Sequence, residues 1–204
     1  MKQRFGVFAT FVLTGILALP TTLQAQLEGQ AGGLRLSVQV YNWAKVSPAT
    51  LQKGRAVAGQ IFEEAGVLLN WEECPCETKA EPKAVAVRII PRFFGSTKAT
   101  FRNDHLGFAA ATNDGGVLAS VFYDRIEALG KGGDLSGILG LATAHELGHL
   151  LLGSNAHTHE GIMLPRWTRK HLQSNDWRRF RFTSEQSAAI RGRLTLYQAK
   201  NGMK

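Results

Sequence analysis

The sequence is poor in cysteine, and beyond residue 25 it has no apolar run long enough to cross a membrane. Only Cys74 and Cys76 are present among 204 residues, which excludes a disulfide-rich scaffold. A bridge between these two would be strained, so two free thiols or an intermolecular bridge are the alternatives, and no further Cys or His stands close by to complete a metal site. The chain also lacks internal repeats, low-complexity tracts and the motifs of nucleic-acid-binding modules.

The first 25 residues have the three parts of a secretory signal peptide. Lys2 and Arg4 are basic, residues 5–19 are apolar, and cleavage is expected near Ala25. The apolar part is shorter than the roughly 20 residues of a membrane-spanning helix. We therefore expect a secreted or periplasmic protein whose residues 26–204 fold as a single domain.

Basic residues outnumber acidic ones, with 24 Lys and Arg against 16 Asp and Glu. Between residues 166 and 181, basic residues are interleaved with aromatic ones, a pattern that could bind single-stranded nucleic acid or an acidic substrate. We interpret this segment as a solvated face with inward aromatics, and we predict neither nucleic-acid nor membrane binding. Trp167, which lies in this segment, could form a pocket wall or belong to the core. The sequence does not indicate the oligomeric state.

Hydrophobic periodicity predicts an alternation of strands and helices along one domain. The predicted strands cover residues 34–46, 67–71, 84–90, 106–112 and 117–123. Helices are predicted between Ser47 and Gly66, between Asp134 and Gly153, and from Thr183, with Gln186 at the capping-box position, to Leu196. The segments predicted as irregular are residues 72–83, a tight turn at 113–116, and residues 154–168.

The central helix, from Asp134 to Gly153, is apolar nearly all round and is therefore expected to be buried. Three glycines within it suggest the close approach of a neighbouring element or of a metal site. The helix also contains the run His145-Glu146-Leu147-Gly148-His149, whose polar residues are not needed to form a helix. Histidines four apart share one face of a helix, so both imidazoles can bind one ion.

Core histidines bonded to the backbone are the structural alternative, but two histidines at ligand spacing with an intervening Glu146 favour a metal site. Catalytic zinc takes three protein ligands and keeps a fourth position open. The chain can fold back after the glycine that ends the helix and present His157, with His159 and Glu160 as rivals. A third alternative is Glu185 on the last helix, as in zinc hydrolases with a glutamate ligand.

The zinc helix, the glycine turn, His157 and the segment from Gly161 to Pro165 resemble the zinc-binding region and methionine turn of the metzincin metallopeptidases. The resemblance implies an α+β fold with a twisted, mostly parallel five-stranded sheet, two main helices and a small C-terminal subdomain ending in a helix. It also implies an edge strand at residues 106–112 that holds the substrate, and Met163 beneath the metal. The spacing differs, because Gly153 and His157 come one and two positions later than in the family pattern.

The function implied is that of a secreted zinc endopeptidase that hydrolyses peptide or protein substrates. His145, His149 and His157 would bind Zn²⁺, and Glu146 would take a proton from the zinc-bound water and pass it to the leaving amine. Two alternatives remain: a hydrolase with a glutamate as third ligand, and a non-catalytic, zinc-stabilised binding protein. The intact Glu146 argues against the second, since a structural site needs no general base.

Overall fold

A mixed α/β fold is seen in the computed structural model of the protein, which describes residues 33–75, 84–92, 105–112, 115–131, 133–153, 155–172 and 179–200. Within these ranges the strands are β1 (Leu34–Asn42), β2 (Val67–Cys74), β3 (Val85–Ile90), β4 (Gly107–Thr112) and β5 (Gly115–Phe122). The helices are α1 (Pro48–Glu64), α2 (Tyr123–Leu129), α3 (Leu135–Leu152), α4 (Arg169–Leu172) and α5 (Ser184–Lys200). The proposed signal peptide lies outside the described residues and stays a prediction.

The five strands form one sheet in the order β2-β1-β3-β5-β4. Four strands, β2, β1, β3 and β5, are parallel to one another. β4 pairs antiparallel with β5 and forms one edge of the sheet. The prediction of a five-stranded, mostly parallel sheet is confirmed. Because the start of β4 pairs with the end of β5, the first residues of β4 lie at the carboxyl end of the parallel strands.

Most of the core lies between the sheet and helices α1 and α3. Alternate residues of β1 and β3, such as Val38 and Val87, are buried, while most of their neighbours in sequence are more exposed. α1 packs against β2, and α3 packs against β5 and β4. α3 therefore lies under the edge strand, in the position that the candidate site requires.

Two glycines let α1 and α3 approach closely. A Cβ at Gly140 would lie 2.5 Å from the carbonyl oxygen of Gly54 and 2.6 Å from Cβ of Val57. A Cβ at Gly54 would meet Leu139 at 3.2 Å. The close approach predicted from the glycines of the central helix is thus an approach of α1, and it fixes how α3 sits under the sheet.

α3 begins and ends where the sequence predicts. Asp134 occupies the N-cap position, but its side chain makes no capping hydrogen bond. Gly153 follows the last turn with φ of 93°, a value that favours glycine. In the described part of the chain, α3 is the one helix with the length and hydropathy of a membrane span, and 83% of it is buried inside the fold, as befits a core helix.

The ends of β1 and β2 depart from the sequence prediction. β1 stops at Asn42, whose side chain accepts from the Val46 N–H and donates to its carbonyl, both at 2.9 Å, so the chain turns there. β2 continues to Cys74, because its backbone pairs with β1 as far as Tyr41. Residues 72–74, predicted as loop, are therefore strand, and Cys74 is disulfide-bonded to a partner outside the described residues.

Two short helices were missed because they carry too little periodicity to be seen in the sequence. α2 occupies seven residues predicted as strand end and loop, and it buries only Ile126. α4 has four residues. The long C-terminal helix was predicted, and its capping box is confirmed: Thr183 N–H donates to Gln186 Oε1 at 3.0 Å, and Gln186 N–H donates to Thr183 Oγ1 at 3.2 Å. This helix continues to Lys200, past the predicted end.

Candidate metal centre

α3 presents His145 and His149 on one face, as their spacing of four residues requires. Their Nε2 atoms lie 3.2 Å apart, and the ring centroids are 4.8 Å apart. Both imidazoles are held by the main chain: Nδ1 of His145 lies 2.8 Å from the carbonyl oxygen of Ile162, and Nδ1 of His149 lies 3.2 Å from that of Gly153. A carbonyl only accepts, so both Nδ1 atoms carry the hydrogen and both Nε2 atoms carry a lone pair.

His157 reaches the same point from the segment that returns after α3. Its Nε2 lies 3.1 Å from Nε2 of His149, and the ligand atoms of the three histidines all lie within 4.8 Å of one another. The returning segment is held at three places. Thr158 N–H donates to the Met163 carbonyl at 3.0 Å, Ile162 N–H donates to the Arg181 carbonyl at 2.9 Å, and Gln186 Nε2 donates to the Ala156 carbonyl at 3.0 Å.

This donor set fits a divalent metal ion such as zinc. The facing lone pairs of His145 and His149 repel each other at 3.2 Å, and a cation between them removes that repulsion. In a tetrahedral site with metal–nitrogen distances of roughly 2.0–2.1 Å, ligand nitrogens lie about 3.4 Å apart, close to the two short separations seen here. The Nδ1 bonds to carbonyls are the outer contacts that ligating histidines usually have.

The electrostatics of the group also suit metal binding, because neutral imidazole is the ligating form. Burial, together with the neighbouring histidines, lowers the pKa of His145 to about 3. Burial likewise lowers the pKa of His149 and of His157, the most exposed of the three. Each of these shifts favours the neutral imidazole, which is the form that binds a cation.

Glu146 is buried beside this group. Burial raises the pKa of its carboxyl to about 8, and a cation at the histidines would oppose this shift by favouring the carboxylate. The start of β4 closes over it: a Cβ at Gly107 would lie 2.7 Å from both Cγ and Oε1 of Glu146. Only glycine at position 107 leaves room for the carboxyl where it is.

A cleft of about 530 Å³ opens above the histidines. β4 forms one wall, α3 forms the floor, and the residues from Leu164 to Trp167 form the other wall. The Trp167 ring meets His145 edge to face at 5.4 Å between centroids and packs on Phe180 at 5.8 Å. Of the two interpretations of Trp167 from the sequence, the pocket wall is the one that agrees with its position.

Met163 is fully buried and packs against α3. A Cβ at Gly148 would lie 2.6 Å from the Met163 sulfur and 2.9 Å from Cε1 of Phe182. The glycine next to His149 therefore allows this methionine to pack directly against the helix backbone. The structure places Met163 against the zinc helix, while its identity as the methionine turn of the metzincins stays a prediction.

The rival ligands are not brought to this point. His159 and Glu160 are exposed, and Glu185 is exposed in the first turn of α5. Among the described residues, the group of side chains that could hold a metal consists of the three histidines alone. The interpretation with Glu185 as third ligand therefore has no geometric support.

The structure adds one polar residue that the sequence interpretation missed. His105 lines the cleft directly before β4 and is close enough to His145 and His157 for its charge to lower the pKa of both, although burial is the larger cause. Its place directly before the predicted edge strand was the available signal.

The basic and aromatic segment behaves as a solvated face where it is described, with Phe180 and Phe182 buried and Arg181 paired with Glu64 at 2.8 Å.

Comparison with known proteins gives similarity in structure only. No model of a known protein family matches the chain, and no curated protein matches it in sequence. A zinc-dependent peptidase from Methanocorpusculum labreanum (strain Z) has a similar structure, with a TM-score of 0.51 and 16% identity over 75% of this chain and 99% of that one. Metalloproteinase-II from Bacteroides fragilis aligns with a TM-score of 0.42 and 11% identity over 73% of this chain and 53% of that one. At this identity the first likeness indicates a shared fold.

Proposed function

We propose that the protein is a zinc-dependent peptidase. The observation that carries the proposal is the convergence of the Nε2 atoms of His145, His149 and His157 beside a buried Glu146, on the floor of an open cleft. A structural metal site would have no use for the glutamate or for the cleft. The fold shared with the peptidase of M. labreanum, which is zinc-dependent, supports the same activity here.

The chain's own residues have distinct tasks in this proposal. Zinc held by the three histidines would polarise the scissile carbonyl and lower the pKa of a water molecule. Glu146 accepts a proton from that water as the water oxygen attacks the carbonyl carbon. Glu146 then delivers the proton to the leaving nitrogen. Gly107 leaves the space that keeps the carboxyl of Glu146 beside the histidines.

β4 is the element that would bind the substrate. It is the edge strand of the sheet and forms a wall of the cleft, so its outer backbone groups can pair with an extended peptide. Its residues Gly107, Ala109, Ala110 and Ala111 are small, which leaves room beside the strand for substrate side chains. A peptide bound along such a strand extends on both sides of the site, which supports an endopeptidase.

The finer assignment is a metzincin-like enzyme that acts outside the cytoplasm. It rests on the order of zinc helix, third histidine and buried Met163, and on the signal-peptide pattern of residues 1–25. Sequencing the N-terminus of the exported protein tests the location: a mature chain that starts near Gln26 is expected, and an intact chain retained in the cytoplasm would contradict export.

The activity is tested by comparing the wild type with Glu146→Gln. The wild type should bind about one zinc per chain and cleave casein or a peptide library, with activity lost to a chelator and restored by zinc. Glu146→Gln should keep the zinc and lose hydrolysis. A protein that binds zinc without cleaving any peptide would instead be the non-catalytic binding protein, and equal turnover by Glu146→Gln would rule out Glu146 as the base.

A further inference from the structure

The start of β4 turns one face toward the metal centre. A Cβ at Gly107 would point at Glu146, 2.7 Å from its Oε1. Residues two apart in a strand project on the same face, and the strand pairing continues before Gly107, because Phe122 N–H donates to the Leu106 carbonyl at 2.8 Å. His105, two residues before Gly107, therefore projects into the cleft on the side where Glu146 lies, and it lines that cleft.

The backbone of His105 is fixed from outside the cleft. Arg125 of α2 donates from Nη1 to the His105 carbonyl at 2.6 Å. Its guanidinium group also lies 4.7 Å from the centre of the Phe122 ring, at the end of β5. The main chain at His105 is thus held by a helix and by the neighbouring strand, which fixes where the side chain enters the cleft.

Few polar side chains of the cleft remain without a task. Apart from the three histidines and Glu146, the described lining residues with a hydrogen-bonding side chain are His105, Thr112, Arg166 and Trp167. Thr112 lies at the opposite end of β4, about 20 Å along the strand from His105. Arg166 and Trp167 belong to the opposite wall. Among the described residues on the side of the edge strand, His105 is therefore the donor next to the metal centre.

His105 faces the metal centre without belonging to it. It lies near enough to His157 for its charge to add to burial in lowering the pKa of that ring. Nevertheless, the group of described residues whose atoms lie at metal-binding distance includes the other three histidines and leaves His105 out. A histidine in this position can reach a substrate bound at the centre.

We propose that His105 is a catalytic residue that donates an N–H hydrogen bond to the scissile carbonyl oxygen as this oxygen becomes negatively charged. The inference rests on the proposed peptidase function. When the water oxygen bonds to the carbonyl carbon, the π electrons of the carbonyl move onto its oxygen, and Glu146 holds the water proton. The C–N bond then breaks, and the amine leaves with that proton. His105 keeps its own proton throughout, so its contribution is a hydrogen bond to the oxyanion.

The test compares His105→Ala and His105→Gln with His159→Ala, which removes an exposed histidine outside the cleft. For each protein we would measure bound zinc, kcat and KM on one peptide that the wild type cleaves. Isothermal titration then gives the affinity for a phosphinic analogue of that peptide, which mimics the tetrahedral oxyanion, and for the cleaved product peptide.

His105→Ala is expected to lower kcat by about 10²- to 10³-fold, the usual effect of losing one oxyanion donor, with KM and bound zinc unchanged. Its affinity for the phosphinic analogue should fall, while its affinity for the product peptide stays the same. His105→Gln retains an N–H donor and should lose less. His159→Ala should match the wild type.

Three results would overturn the inference. The first is a kcat and phosphinic affinity for His105→Ala that match the wild type, and the second is a loss of zinc that accounts for the loss of activity. In both cases the wild type still cleaves the peptide, so the proposed function stands and His105 loses its assigned task. The third is a zinc-loaded wild type that cleaves nothing, which would remove the proposed function and this inference together.

Discussion

The floor and the walls of the cleft are built in different ways. The floor is α3, a buried helix whose ligands His145 and His149 are set by the helical repeat and by hydrogen bonds to two backbone carbonyls. The walls are β4 and the returning segment, which are more exposed and which bring single residues from distant parts of the chain. The floor supplies two of the three ligands and the general base, and the walls supply the third ligand and the contacts that position the base and the substrate.

Removing His149 should have the largest effect. Its Nε2 lies 3.2 Å from that of His145 and 3.1 Å from that of His157, so it is central to the donor set. His149→Ala should lower zinc affinity by well over the 10- to 100-fold that loss of an outer contact typically costs, and activity should be lost with the metal. Competition with a chromogenic zinc chelator measures the change, with His159→Ala as the control. Unaltered affinity would mean that the metal binds elsewhere.

Gly107→Ala tests whether a wall controls the chemistry without binding the metal. The added Cβ would collide with Glu146 and with the Ser120 carbonyl oxygen, each at 2.7 Å, so the carboxyl or the strand must shift. We expect kcat to fall by about 10²-fold, since small misplacement of a catalytic group costs that much, while zinc content stays at the wild-type level. Full activity in this variant would contradict the packing of β4 over the general base.

His157→Ala sharpens the comparison further, because it removes a ligand that belongs to a wall. Zinc affinity should fall. Because His157 is exposed, the unfolding free energy of the metal-free protein should change by less than about 0.5 kcal/mol. Calorimetry of the chelator-treated protein separates the two effects. A large loss of stability in the metal-free form would show that the returning segment is part of the core.

The smallest effects concern packing beneath the floor. Gly140→Ala would place a Cβ 2.5 Å from the Gly54 carbonyl oxygen and should cost about 1–3 kcal/mol of unfolding free energy. Gly192→Ala on α5 has open space around it and should stabilise the protein by about 0.5–1 kcal/mol. Denaturant unfolding of both variants measures the difference. Equal effects would mean that α1 and α3 are not in close contact at Gly140.

The same division explains what the sequence could predict. α3, its glycine stop and the pair of histidines depend on residues within about 20 positions, so periodicity and capping reveal them. The strands were found for the same reason, although pairing with β1 extends β2 through polar residues that composition assigns to a loop. α2 and α4 are too short to carry a periodic signal.

Contacts between distant segments were out of reach of the sequence. The glycines of α3 suggested the close approach of an element or of the metal site, and only the family resemblance placed Met163 beneath the metal. The structure shows that Met163 packs against Gly148. His157 could be proposed only as one of several rivals, because its convergence depends on how residues 154–163 turn back. His105 lies 40 residues before the nearest ligand, and only the pairing of β4 with β5 brings it to the cleft.

The central claim is that three histidines hold a zinc ion with one position open for chemistry. A crystal structure of the zinc-loaded protein, with anomalous data at the zinc edge, tests it directly. We predict one zinc within about 2.0–2.2 Å of Nε2 of His145, His149 and His157, with a fourth ligand that is not from the protein. A zinc closed by four protein ligands, or bound away from His157, would contradict the account.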